Sequence, residues 1–301
     1  MQTRLPRFER AAAVAHMQLE ERDREIIRLV HRHRFLRSSH IVALMDSSPQ
    51  QLLRRLQLLY HNGYLERPRA QLQYYKPGGS KSIAYGLGNK GGMLLHEEFG
   101  TDVNSVAWSE KNHLIGRVYL EHALFVSDVM VTLEVACRKH GGVRLFYQDQ
   151  FHLEPKQQPF RWRATVQGGC KLGVIPDRVF ALEFPDARGV TQRVHFFLEA
   201  DRGTMPVTRK TLSQTSFARK LLAYEATWTQ KIHQRNLGIQ RFRVLTVTTS
   251  AERVKSLVEA CSQLKRGHGL FLFADRSVLS GDILSGVWQT GKPGQTSRLL
   301  A

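Results

Sequence analysis

The chain is short of acid, short of cysteine and free of long apolar runs. Only 26 Asp and Glu stand against 44 Lys and Arg in 301 residues, a formal net charge of +18. A globular chain with that excess calls for a polyanionic partner, and nucleic acid is the usual one. The three cysteines, Cys137, Cys170 and Cys261, are too few and too far apart for a disulfide framework or a zinc site. They read as structural thiols of a reduced, cytoplasmic protein. No apolar stretch approaches the ~18 residues that cross a bilayer, and the first residues lack a secretory signal's apolar core, so no membrane partner is expected. The 13 histidines show no metal-ligand spacing, and there is no phosphate loop, dinucleotide fingerprint or nucleophile elbow.

What is there suffices for a globular protein. Hydrophobic residues make up 42%, enough for a core, and the length fits two domains at roughly 150 residues each. The charge is uneven. Residues 1–90 hold 16 basic and 7 acidic side chains, and residues 202–243 hold 9 and 1, whereas residues 91–201 hold 12 and 14. Two basic segments flank a slightly acidic one, the pattern of a protein that meets a phosphate backbone in two places.

The first basic segment reads as three helices and a hairpin. QLEERDREIIRLVHRHR (18–34) has Ile26, Ile27 and Val30 on one face, and a short helix follows Ser38 and Ser39. In SSPQQLLRRLQLLYHNGYLER, Ser48 is placed to cap, Pro49 suits the first helical position, Gln51 completes a capping box and Asn62–Gly63 stops the helix. Leu52, Leu56 and Leu59 form its buried stripe, leaving Gln51, Arg54 and Arg55 on the other side. LQYYKPGGSKSIAYGL reads as a hairpin with a basic, glycine-rich tip carrying Lys76 and Lys81. This order resembles the winged helix-turn-helix family. The resemblance implies that Gln51, Arg54 and Arg55 reach base edges or phosphates from the major groove, and that Lys76 and Lys81 lie along the backbone. A helical module for protein contact is the alternative.

The second half reads as an α/β domain with a mixed sheet: a long helix at 112–139, strands at VRLFYQDQF, GVIPDRVFALEF and VTQRVHFFLEAD, a basic helix over 207–234, then strand, helix and strand to about residue 280. Residues 151–172 read as irregular. The basic helix turns Phe217, Leu221, Tyr224 and Trp228 inward and frees Arg209, Lys210, Arg219, Lys231 and Arg235 for phosphates. With residues 185–189 as the turn, Phe184 pairs with Val190, Asp177 faces Phe197, and Asp177, Glu199 and Asp201 share one face. Three clustered carboxylates repel unless a cation joins them. Mg²⁺ is one candidate; an ion-pair network with Arg178, Arg202 or Lys220 is the other.

The hairpin, with Pro176–Asp177 and Glu199-Ala200-Asp201, resembles the PD-(D/E)xK nuclease superfamily. That resemblance implies that the acids hold Mg²⁺ while a Lys orients water. Here Asp201 stands where the Lys is expected, and Lys220, four residues before Tyr224, is the substitute; Glu121 and Asp128 on the preceding helix are further candidate acids. The whole chain resembles the replication-relaxation family, through HALFVSDVMVTL, IPDRVFAL, FFLEADRGT and FARKLLAY. The implied architecture is a winged helix-turn-helix over 1–105, a restriction-endonuclease-like α-β-β-β-α-β domain over 106–280 and a poorly ordered tail over 281–301. The implied function is double-stranded DNA binding for a plasmid, phage or integrated element, in replication, mobilisation or their regulation. A Mg²⁺-dependent endonuclease or nickase using Asp177, Glu199 and Lys220, and a repressor, are the rival readings. Self-association or contact with the element's other replication or transfer proteins is the further expectation.

Overall fold

The computed structural model describes residues 7–12, 17–74, 82–100, 107–151, 160–166 and 168–300. The chain divides into two compact units, Met1–Val131 and Thr132–Ala301. The division falls within the long helix instead of near residue 105. The cause is packing: Leu120 and Leu124, early in that helix, share a buried cluster with Phe35 and Ala84.

In the first unit the order is α1 (Glu21–His33), β1 (Phe35–Arg37), α2 (Ser38–Leu44), α3 (Pro49–His61), β2 (Leu65–Glu66), β3 (Ala84–Leu87), α4 (Asn89–Phe99), α5 (Trp108–Leu114) and the start of α6 (Arg117–His140). β1, β3 and β2 form a small antiparallel sheet in that order. α1 buries Ile26, Ile27, Leu29 and Val30. Gly63 at φ +86° ends α3, a backbone that other residues adopt with strain. β3 lies between β1 and β2; residues 72–74, read as part of a hairpin arm, belong to a 3-10 turn over Arg69–Tyr74. Lys76 and Lys81 lie outside the described residues. The sequence pattern gives no sign of α4, because Gly91 and Gly92 weaken a helix by roughly 1 kcal/mol each. Close approach demands them: a Cβ at 91 would lie 2.3 Å from Tyr64 O, and one at 92 would lie 2.7 Å from Trp108 Cδ1.

The second unit is built on a seven-stranded sheet. Its strands are β4 (Arg144–Tyr147), β7 (Arg178–Pro185), β8 (Thr191–Ala200), β9 (Phe242–Thr248), β10 (Phe271–Asp275), β11 (Trp288–Thr290) and β12 (Thr296–Ser297), in the order β12-β11-β10-β9-β8-β7-β4. β8, β9 and β10 run parallel and the other neighbours antiparallel, so the mixed α/β class read from the sequence is the class observed. The helices are α7 (Phe217–Thr229), α8 (Ile232–Leu237) and α9 (Ala251–Ser262).

Four expectations need correction. Part of the stretch read as irregular, 151–172, belongs to a separate ribbon of β5 (Trp162–Thr165) and β6 (Lys171–Val174). The basic helix starts at Phe217, not Val207: residues 208–215 are exposed, and TRKTLSQTS offers no apolar stripe to bury. Lys231, at φ +54°, separates α7 from α8. The β7–β8 turn is one residue later than expected, because the Asp186 carboxylate accepts from the N–H groups of Arg188 and Val190, both at 2.9 Å. Pro185 therefore pairs with Thr191, and Val179 stands opposite Phe197 in place of Asp177. The two-residue slip in pairing leaves every side chain on its expected face.

The fourth correction is the tail. Residues 281–300 close one edge of the sheet through β11 and β12. Ile283, Leu284, Trp288 and Leu299 are buried, and a Cβ on Gly291 would meet Cys261 Sγ at 2.5 Å. Gly, Pro and Thr make the segment look like a linker; the few large apolar residues among them are what anchor it. Trp288→Ala should cost about 3–5 kcal/mol, the usual range for a buried Trp, seen as a lower melting temperature. An unchanged melting temperature would mean the tail is not part of the core.

Candidate functional site

α3 is the first candidate surface. Leu52, Leu56 and Leu59 are fully buried, as expected. Pro49 stands at the first helical position, but the Ser48 side chain makes no cap bond, and Gln51 accepts from Arg22 Nη1 at 3.1 Å instead of completing a capping box. Arg55 points back into its own unit. Its Nε donates to Asp23 Oδ1 at 2.9 Å, its Nη2 meets Asp23 Oδ2, and its Nη1 lies 3.2 Å from Glu20 Oε1. Asp23 is wholly buried, and its hydrogen bond raises the Arg55 pKa. Arg55 is therefore the counter-ion of a buried acid, which corrects its reading as a DNA contact. Arg54 is exposed and makes no ion pair among the described residues. Gln50 and Leu53 are exposed and Gln57 is half-buried. The outward row of α3 is thus Gln50, Leu53, Arg54 and Gln57, at i, i+3, i+4 and i+7. The leucine spacing allowed this face to be guessed, but only the Arg55–Asp23 pair fixes its edge.

The second candidate lies in the other unit, where β8 ends. Glu199, in β8, is buried; Lys220 Nζ pairs with its Oε2, and the Tyr224 hydroxyl donates to its Oε1 at 2.6 Å. Lys220 and Tyr224 stand four apart on α7 and so project together, which was legible in the sequence. Asp177 lies just before β7, and its Oδ2 accepts from the Ala200 N–H at 2.7 Å. Phe197 stacks on Tyr224 at 5.9 Å and Trp162 meets it edge-on at 6.4 Å, so aromatic rings wall the ion pair.

Asp201 does not join this group. β8 ends at Ala200, and Asp201 takes Arg253 through Nε at 2.8 Å and Nη2 at 3.3 Å, Thr248 Oγ1 at 2.7 Å and the Gly203 N–H at 3.1 Å. Strand parity no longer governs a side chain beyond the strand's end. Arg253 on α9 carries no sequence signal for this role. Glu121 pairs with Arg117, and Asp128 with Arg37 and His40, within the first unit; neither enters the carboxylate site.

A divalent ion needs several hard oxygen donors. Both Glu199 oxygens are held by Lys220 and Tyr224, both Asp201 oxygens by Arg253 and its neighbours, and among the described residues no three acids, histidines or cysteines gather as a metal site. The residues present do not fit Mg²⁺, and no hydrolytic step follows from them.

Burial dominates the electrostatics. Desolvation pushes the Glu199 carboxyl up to about 7, against the opposing pull of Lys220. Burial is the largest single influence on Lys220 and works to lower it, but the charges of Glu199, Asp177 and Asp201 and the hydrogen bond to Glu199 together outweigh it, and the pKa is raised. Lys220, with 34% of its side chain exposed, stays a cation; the fully enclosed carboxyl bears the strain. The thiols of Cys137 and Cys261 are buried and pushed up to about 12. Cys170 is exposed.

Arg209 and Lys210 are exposed on the loop before α7 and are not part of a helix. Residues 27–241 match the model of the replication-relaxation proteins. The chain belongs to the replication-relaxation family. The family match runs from α1 to the residue before β9, so it takes in both candidate surfaces but leaves out β9, α9 and Arg253. No curated protein and no solved structure gives a match. Among the described residues of this replication-relaxation protein, no helix is long and apolar enough to cross a membrane.

A raised carboxyl favours the fold while protonated. Its contribution is present below pH ~4.5, the unfolded value, and is lost as pH rises through about 7. Glu199→Gln removes that titration. The melting temperature of the wild type should therefore fall relative to Glu199→Gln between these two pH values. Parallel curves across that window would show that burial does not perturb Glu199.

Proposed function

We propose that this protein binds double-stranded DNA through α3 and serves the replication or mobilisation of a plasmid, phage or integrated element. The observation that carries the reading is the outward row Gln50, Leu53, Arg54, Gln57 on a helix without a single acidic residue. The order α1-β1-α2-α3-β2-β3, with its small antiparallel sheet, supports a winged helix-turn-helix, in which this helix lies in the major groove. The side chains suit base reading. Arg54 matches guanine O6 and N7, Gln50 and Gln57 match adenine N6 and N7, and Leu53, with 48% of its surface exposed, suits a thymine methyl.

The geometry supports binding over cleavage. An endonuclease using Asp177, Glu199 and Lys220 needs Glu199 to face a metal or water, whereas Lys220 and Tyr224 hold both its oxygens. The Glu199–Lys220 pair reads as an internal ion pair that fastens α7 to the end of β8.

Arg54 and Arg55 separate function from folding. Arg54→Ala should weaken binding to the protein's own site by about 1–3 kcal/mol, roughly 5- to 150-fold, without moving the melting temperature. Arg55→Ala leaves Asp23 buried and unpaired, a loss of about 3–5 kcal/mol, so it should lower the melting temperature. Fluorescence anisotropy on duplexes selected from a random pool measures the first effect and thermal unfolding the second. Equal affinity of wild type and a folded Arg54→Ala variant would remove α3 from the DNA contact.

A further inference from the structure

The β5–β6 ribbon alternates without exception. Phe160, Trp162, Ala164, Val166, Leu172 and Val174 are buried and belong to the unit's core cluster, while Arg161, Arg163, Thr165, Lys171 and Gly173 are exposed. Its inner face packs on α7, with Trp162 Nε1 donating to Thr227 Oγ1 at 2.7 Å. The outer face is open: a Cβ built on Gly173, which stands opposite Arg163, meets nothing within 4 Å. Lys171 stands opposite Thr165. The described residues of the ribbon, 160–166 and 168–174, contain no acid, and none of its three cations makes an ion pair among the described residues.

More positive charge adjoins one end. Gln230 Nε2 donates to Thr165 O at 2.5 Å, and Arg235 Nη2 donates to Gln230 O at 2.5 Å. Lys231 and Arg235 are both exposed there. Arg161 and Arg163, alternate residues of an extended chain, project from one face about 7 Å apart. Cations in such a row, with no acid among them, suit a phosphate chain.

We propose that the outer face of the β5–β6 ribbon is a second, sequence-independent contact for the backbone of duplex DNA, with Arg161, Arg163 and Lys171 as the phosphate-binding residues. This rests on the reading of the protein as a DNA binder and adds where its second unit takes hold. Duplex is favoured over single strand because the outer face presents no aromatic ring for bases to stack on: Trp162 and Phe160 both point into the core. The surface is distinct from the Glu199–Lys220 pair, whose charges cancel internally.

The test uses the full chain with Arg161, Arg163 and Lys171 all changed to Ala. All three are exposed, so the melting temperature should not move. Binding to a random-sequence duplex is followed by fluorescence anisotropy over a salt series. The slope of log K against log salt changes by about 0.9 per phosphate contact, so it should become shallower by about 2 to 3, with weaker binding at low salt and an unchanged preference for the selected site. A charge-keeping variant, Arg161→Lys with Arg163→Lys, should retain the wild-type slope; if the triple variant unfolds, Lys171→Ala alone should still lower the slope by about 0.9. A wild type that binds duplex with a slope the Ala variants leave unchanged overturns the ribbon contact and leaves the α3 reading standing. A wild type that ignores duplex at low salt overturns both. Tighter binding of single strands, lost in the triple variant, overturns the choice of duplex.

Discussion

Every buried acid among the described residues claims a base, and that claim decides which of the many Lys and Arg side chains remain for function. Asp23 takes Arg55, Glu66 takes Arg10, Glu134 takes Arg138, Glu199 takes Lys220 and Asp201 takes Arg253. The five acids are at most 9% exposed. A carboxylate left bare at such a depth costs several kcal/mol, so these pairs are obligatory once the backbone has placed the acids there. The excess of +18 is therefore not a diffuse coat. It is what remains after the interior has been neutralised, and it collects on faces that no acid reaches.

Two such faces stand out, one in each unit. The outward row of α3 offers hydrogen-bonding side chains of fixed spacing on a rigid helix, a means of telling base pairs apart. The β5–β6 ribbon offers charge alone, and charge reads no sequence but adds affinity that falls with salt. On the proposed reading, one surface of each kind lets the protein hold DNA loosely and select a site on it. The β7–β8 hairpin supplies the scaffold: its apolar residues fill the sheet, and its one fully enclosed acid is tied to the helix that supports the ribbon from below.

Much of this was legible. The Leu52–Leu56–Leu59 stripe identified the buried side of α3, the short apolar runs in RVFALEF and VHFFLEA identified β7 and β8, and the Lys220–Tyr224 spacing placed both on one face of α7. The errors have specific causes. Arg54 and Arg55 are neighbours in sequence, and nothing in either shows that Asp23, 32 residues before Arg55, will be buried beside one of them. Asp201 was assigned by strand parity, which ceases at Ala200. The tail's Gly, Pro and Thr outvoted Trp288, because composition weighs residues equally and burial does not.

By itself the sequence determined the periodic features: which segments form the main helices and sheet strands, which of their faces are apolar, and the net positive charge that points to a polyanion. These follow from spacings of two and 3.6 residues, which act locally. Tertiary structure alone decided the pairings: Arg55 with Asp23, Arg253 with Asp201, both oxygens of Glu199 with Lys220 and Tyr224, and the open face over Gly173. Each joins residues distant in the chain, and the strength of each depends on water being excluded at that point. Exclusion of water is a property of the packed core, and no local spacing records it.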